Sequence, residues 1–284
     1  MVIDAKVNLR QGIIYLAFGA NYHAEAKRSI ASLRLVSPNL PITVITDSPW
    51  AGESQPDTFL VRAHTDGFAS KPRYIGDSPY ERTLYLDTDT YIARDLTPVF
   101  GLLNFYDIGV RFGGAQLYEP GGLEYHLQCN SGVILFSKNE RTQEVFERWR
   151  EEYERARLGI ESRNELLERR GLGDQRYLAI AIAKSQARPV HLAENLNFAL
   201  FDTLTTYSPL AVLHGRLPAM AQIAREINAE WDESVDWRVR IWMPNIRGLL
   251  PSGLRHSDPI LAIALVLRRL TNDFKRSMRA LFRQ

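Results

Sequence analysis

The chain has 284 residues, 45% apolar and 24% charged, which is ordinary globular composition and excludes a fibre or a disordered chain. A net charge of +2 gives no reason to expect nucleic acid as a partner. The single cysteine, Cys129, excludes an intrachain disulfide framework and fits a reducing, cytoplasmic compartment. The start "MVIDAKVNLRQG" lacks the apolar region of a signal peptide, and the longest uncharged apolar run, "PILAIALVL", falls far short of the roughly 20 residues of a membrane span.

In chain order, "GIIYLAF" (12–18) is a short, β-branched and aromatic run, as expected of a buried strand. "NYHAEAKRSIASLRLV" (21–36) spaces its apolar residues as a helix with Asn21 as N-cap. "ITVIT" (42–46), "TFLVRA" and "TLYLD" (83–87) follow as strands, then "DIGVRF" and "SGVILFS" (131–137). Residues 138–159 form a long charged helix with Val145, Phe146, Trp149 and Tyr153 on one side, and "DQRYLAIAIAKS" (174–185) a further helix opened by Gly173 and Asp174. Alternation of strand and helix predicts an α/β fold, a mostly parallel sheet flanked by helices. After "AVLHGR" (211–216) the character changes: "WDESVDWRVRIWMPN" holds three of the five tryptophans. The expected organisation is a catalytic domain over 1–220 and a C-terminal segment over 221–284.

The stretch "TLYLDTDTYIARDL" runs a strand into Asp87 and Asp89 with one residue between them. Alternating carboxylates at the carboxyl end of a strand can hold a hard cation against a diphosphate. Two other chemistries use acids there, and a capped surface turn uses them for nothing. A phosphatase of the haloacid-dehalogenase type carries Asp-x-Asp-x-Thr after its first strand and needs a second acidic cluster. Here the motif comes after about 80 residues of βα structure, and "GDQRYLA" has one acid where two are wanted. A nucleotidyltransferase would want a Gly-rich phosphate loop after the first strand, but "AFGANYHA" has one Gly.

Taken together, "IYLAFGANYHAEAKRSIASL", "SKPRY", "TLYLDTDTYI", "CNSGVILFSKN", "GDQRYL" and "VLHG" resemble, in order and spacing, the GT-A glycosyltransferases of family 8, the group that includes glycogenin and bacterial galactosyltransferases. The resemblance spans roughly residues 12–216. It implies a GT-A domain and retaining transfer of a hexose from a UDP-sugar to a hydroxyl of a glycan, glycolipid or protein. Ala17, Phe18 and Tyr22 would embrace the uridine, and Lys71 would reach the donor near its sugar and phosphate. Asp87 and Asp89 would bind ribose and Mn²⁺, with Thr88 between them at the donor. Asn130 and Ser131 would touch the donor sugar. Asp174 and Gln175 would stand beside the anomeric carbon, and His214 would complete the metal shell. An imidazole beside two carboxylates suits Mn²⁺ better than Mg²⁺, the alternative ion. One departure stands out: the family's Lys-Pro-Trp after the metal histidine is absent, and "HGRLPAM" offers Arg216 to the diphosphate. A non-catalytic sugar-nucleotide or carbohydrate-binding module on the same fold is the alternative expectation.

From Pro259, Ile260, Ile263, Leu267, Leu270, Phe274, Met278 and Leu281 recur every three or four residues among Arg268, Arg269, Lys275, Arg276, Arg279 and Arg283. This predicts a basic amphipathic helix, suited to its own domain, to a homo-oligomer, or to an anionic membrane surface as a peripheral anchor.

Overall fold

A computed structural model describes residues 10–64, 69–116, 126–158, 173–200, 204–206, 208–229, 240–243 and 248–249. The elements begin with β1 (Gln11–Ala17), α1 (Ala20–Val36), β2 (Ile42–Thr46), β3 (Thr58–Val61), α2 (Ser70–Tyr74) and β4 (Arg82–Leu86). They continue with β5 (Thr90–Ile92), β6 (Ile108–Gln116), β7 (Leu127–Ser137), α3 (Glu140–Leu158), α4 (Gln175–Ala183) and β8 (Pro189–His191).

The central sheet has the order β3-β2-β1-β4-β7-β6-β8. β3, β2, β1 and β4 are mutually parallel, β7 is antiparallel to β4 and β6, and β8 is parallel to β6. The continuous apolar run of β1 follows from burial on both faces. Ile13, Tyr15 and Ala17 pack with Ala26, Ile30 and Leu33 of α1, while Ile14 and Leu16 pack with Trp149 of α3 and Leu178 of α4. The register sets Ile13 opposite Ile42 and Leu84, and a one-residue slip would exchange those two sets between the faces.

The first helix departs from expectation at its start. It begins at Ala20 with Gly19 as the capping residue, so Asn21 lies inside the first turn. Gly19 takes a left-handed φ of 84° that a side chain would resist, and it donates its N–H to Asp47 Oδ1 at 3.1 Å.

The remaining strands are β9 (Phe198–Ala199), β10 (Leu204–Thr206), β11 (Val212–His214), β12 (Arg240–Met243) and β13 (Gly248–Leu249), with α5 (Met220–Asn228) between β11 and β12. β5, β11 and β9 form a small sheet, and β10, β12 and β13 another. Ile223 and Ile227 of α5 pack on Phe198 and Leu213, so packing onto the small sheet runs past residue 220. The predicted amphipathic helix after Pro259 lies outside the described residues. Among the described residues no helix is long and apolar enough to cross a membrane.

Candidate active site

The small sheet brings the Asp-x-Asp turn and the histidine together. β4 ends at Leu86, and Asp87–Thr88–Asp89 turns the chain into β5. The turn is closed by Thr90 Oγ1 donating to Asp87 O at 2.8 Å, and Asp87 N–H donates to Gly132 O at 2.8 Å. β5 pairs antiparallel with β11, setting Thr90 opposite His214, and Gly215 N–H donates to Asp89 O at 2.9 Å. That pairing puts His214 Nε2 3.5 Å from Asp87 Oδ2 and 3.3 Å from Asp89 Oδ1. The three residues offer ligand atoms that all lie within 4.8 Å of one another. Two carboxylates and one imidazole form a donor set that fits a divalent cation.

Gly132 makes room for that ring. A Cβ at position 132 would lie 2.1 Å from His214 Cε1, 2.6 Å from Nδ1 and 2.7 Å from Nε2. The ring therefore rests against bare backbone of β7.

A second cluster adjoins the first. Lys71 lies in α2 and is 9% exposed, so it is a buried charge and not a solvated one. Its Nζ stands 2.9 Å from Asp87 Oδ1, 3.1 Å from Ser131 Oγ, 3.2 Å from Ser131 O and 3.5 Å from Asp174 Oδ2. Ser131 Oγ donates to Asp174 Oδ2 at 2.9 Å, and Gln175 Oε1 accepts Ser131 N–H at 3.2 Å. Asp174 occupies the position before α4, where a capping role is the default for Asp, yet its side chain makes no capping hydrogen bond and turns to Ser131 and Lys71.

The electrostatics follow from these contacts. Burial by itself raises the Asp87 carboxyl, but Lys71, His214 and a hydrogen bond from Tyr85 Oη outweigh it and hold the group well below the usual carboxylate range. Burial likewise lowers His214, and its hydrogen bonds and charge interactions with Asp87 and Asp89 overcome that and push it up to about 9. Lys71 is raised by Asp174 and Asp87 against its burial. Asp174 is raised, because burial exceeds the help from Lys71 and Ser131.

A cavity of about 300 Å³ lies at the carboxyl ends of β1 and β4, where α/β sheets take ligands. Asn130, Thr88 and Arg216 line it with the clusters above. Phe18 lines it too, but is 5% exposed and stacks on His64 at 5.6 Å, while Tyr22 stands 47% exposed at its rim. Ala17 is buried on the α1 side of β1, and its side chain is not part of the lining. Thr88 Oγ1 donates to Glu25 Oε2 at 2.7 Å; Arg216 pairs with Glu25 Oε1 at 2.7 Å and stands 3.5 Å from Asp89 Oδ2.

Tyr85, Glu25, Gly132 and Asn197 hold groups of the site in place and lie outside the expected set. Gly132 sits in the quoted "CNSG", and Asn197 follows Asn195 and Leu196 with nothing in the sequence to mark it as buried. Tyr85 and Glu25 lie in a strand and a helix face with nothing in the sequence to distinguish them.

No protein-family model matches the sequence, and no curated protein matches it. Solved structures do. The glycosyltransferase GlyE of Streptococcus pneumoniae TIGR4 aligns with a TM-score of 0.52 and 17% identity, over 79% of this chain and 61% of that one. The galactosyltransferase LgtC, in complex with donor and acceptor sugar analogs, aligns with a TM-score of 0.51 and 16% identity, over 73% of this chain and 88% of that one. The fold is GT-A. The family 8 resemblance drawn from the motifs is thus matched at the level of architecture. This GT-A chain spans less than two thirds of the length of GlyE. It sets its Asp-Asp-His group and its Lys71–Asp174 pair in one cavity at the strand ends.

Proposed function

We propose that this protein is a metal-dependent glycosyltransferase that moves a hexose from a UDP-sugar to an acceptor hydroxyl with retention at the anomeric carbon. The observation that supports it most is the convergence of Asp87, Asp89 and His214 beside Lys71, Ser131 and Asp174 in one cavity. A divalent cation, when held by Asp87, Asp89 and His214, would neutralise charge on the diphosphate.

The chain's own residues do the rest. Lys71 offers a permanent positive charge where the donor sugar and diphosphate meet, and Asp174 and Asp87 keep it protonated and aimed. Arg216 is 61% exposed at its side chain and held by Glu25, so it can turn to the diphosphate and grip it bidentately. Asn130 and Ser131 lie in a strand and not a loop, which fixes the sugar to the sheet. Departure of the diphosphate breaks the bond from the anomeric carbon to oxygen. The acceptor oxygen forms its bond on the same face and gives its proton to the departing oxygen. Asp174 is held by Ser131 and close to Lys71, which suits it to balance Lys71 more than to attack carbon. The stabilisation is electrostatic and preorganised.

Hydrolysis and transfer with a panel of UDP-sugars and Mn²⁺, repeated with Asp89→Ala, tests the reading. Metal-dependent release of UDP that vanishes in the variant is expected. No metal-dependent turnover with any donor would leave the alternative of a binding module. Whether the acceptor is a glycan, glycolipid or protein, and whether the chain works on a membrane surface, would be decided with the acceptor panel and liposome flotation.

A further inference from the structure

Asn197 is fully buried beside the metal-binding group and is not itself a lining residue of the cavity. It stands between a 3₁₀ turn (Glu194–Leu196) and β9. β9 runs parallel to β11 with Ala199 opposite His214, and Leu200 N–H donates to His214 O at 2.9 Å. The backbone thus carries the Asn197 side chain to the back of the His214 ring.

There it makes two contacts. His214 Nδ1 lies 3.0 Å from Asn197 Oδ1, and Asn197 Nδ2 donates to Asn130 Oδ1 at 3.0 Å. The direction of this chain is set at its far end. Gly132 N–H donates to Asn130 Oδ1 at 2.9 Å, and a backbone N–H can only donate, so that atom is the amide oxygen. The group of Asn197 facing it must then be the NH₂, which leaves Oδ1 for His214. An oxygen there requires a proton on Nδ1. Turning the Asn197 amide over would set two oxygens against each other at about 3 Å and leave that of Asn197 without a donor in a buried site.

Resting on the metal reading of the site, we infer that Asn197 is a positioning residue: through a hydrogen-bond chain anchored at Gly132 N–H it holds His214 with Nδ1 protonated and Nε2 turned to Asp87 and Asp89, the arrangement in which the ring ligates a divalent cation. Outer partners of this kind raise the affinity of a metal site without touching the ion.

The test uses the full chain labelled with ¹⁵N-histidine, with the His214 signal identified by its absence from His214→Gln. In metal-free protein the His214 Nδ1–H proton exchanges slowly in the unaltered chain and is lost as a protected signal in Asn197→Leu. Asn197→Asp, whose carboxylate accepts from Nδ1–H but cannot donate to Asn130 Oδ1, keeps part of it. Mn²⁺ titration followed by electron paramagnetic resonance gives a Kd weakened about 10- to 100-fold in N197L and by less in N197D. Should N197L fail to fold by circular dichroism, Asn197→Ser carries the same expectation. An unchanged Nδ1–H signal and unchanged Mn²⁺ affinity in N197L overturn the inference, as does equal loss in N197L and N197D. If the unaltered chain binds no Mn²⁺, the metal reading falls, while the Nδ1–H signal and its loss in N197L still support Asn197 as the group that orients the ring.

Discussion

Replacing Gly132 by alanine is the sharpest probe of the site, because it adds one carbon and no charge. The new Cβ would stand 2.1 Å from His214 Cε1, whereas ordinary contact begins at 3.4 Å, a shortfall of about 1.3 Å. Neither side can yield cheaply. Residue 132 lies in β7, whose next residue Val133 is paired with Leu86 of β4. The ring is 6% exposed, tied to Asn197 on one side and facing two carboxylates on the other. Metal–ligand distances tolerate only about 0.2 Å, so a ring displaced by about 1 Å ceases to be a ligand. Gly132→Ala should therefore weaken Mn²⁺ binding at least tenfold and lower stability by about 1–3 kcal/mol through overpacking. Electron paramagnetic resonance gives the first number and urea unfolding the second. Mn²⁺ affinity within about twofold of the unaltered chain would refute the idea that His214 is a ligand seated on bare backbone.

Three further outcomes are expected. Lys71→Met strands Asp87 and Asp174 together without their cation, and should cost about 3–5 kcal/mol in urea unfolding at neutral pH; a loss below about 1 kcal/mol would contradict the buried cluster. Asp107 anchors the start of β6 by accepting from Arg188 and Arg141, and the Arg188 hydrogen bonds hold its carboxyl well below the usual range. A depressed carboxyl stabilises the fold above its unfolded pKa of about 3.9 and loses that effect as pH falls below it, so Asp107→Asn should cost about 2 kcal/mol at pH 7 and flatten the stability profile between about pH 5 and 2; an unchanged profile refutes the assignment. Arg216→Ala removes a half-exposed pair with Glu25 and should leave stability within about 1 kcal/mol while raising KM for the sugar nucleotide, and an unchanged KM would exclude Arg216 from the donor.

The parts legible in the sequence are those where local chemistry and global placement agree. β1 is a continuous apolar run because both its faces are covered, and the acids follow an apolar strand because strand ends face the ligand. Lys71 is named only through the family resemblance, since the carboxylates that hold it come from the end of β4 and the start of α4. The cap of α1 moved from Asn21 to Gly19 because the demand was for a left-handed backbone, which no side-chain preference reports. The small sheet was illegible: strands of two and three residues carry no period, and their partners are far apart along the chain. His214 was reached only through the family resemblance, and Asn197 not at all.

That small sheet has a consequence for local opening. β5 and β11 have three residues each and β9 two, so few ladder bonds hold them to one another. Amides there, such as Ala93 donating to Ala211 O and Gly215 donating to Asp89 O, should exchange with solvent through small fluctuations that spare the seven-stranded sheet. A cation held by Asp87, Asp89 and His214 would oppose those fluctuations, by about 2.7 kcal/mol at a hundred times its Kd. Deuterium uptake at Ala93 and Gly215 is then a gauge of cation occupancy, while Ile14 and Leu84 in the central sheet keep the same protection with or without it.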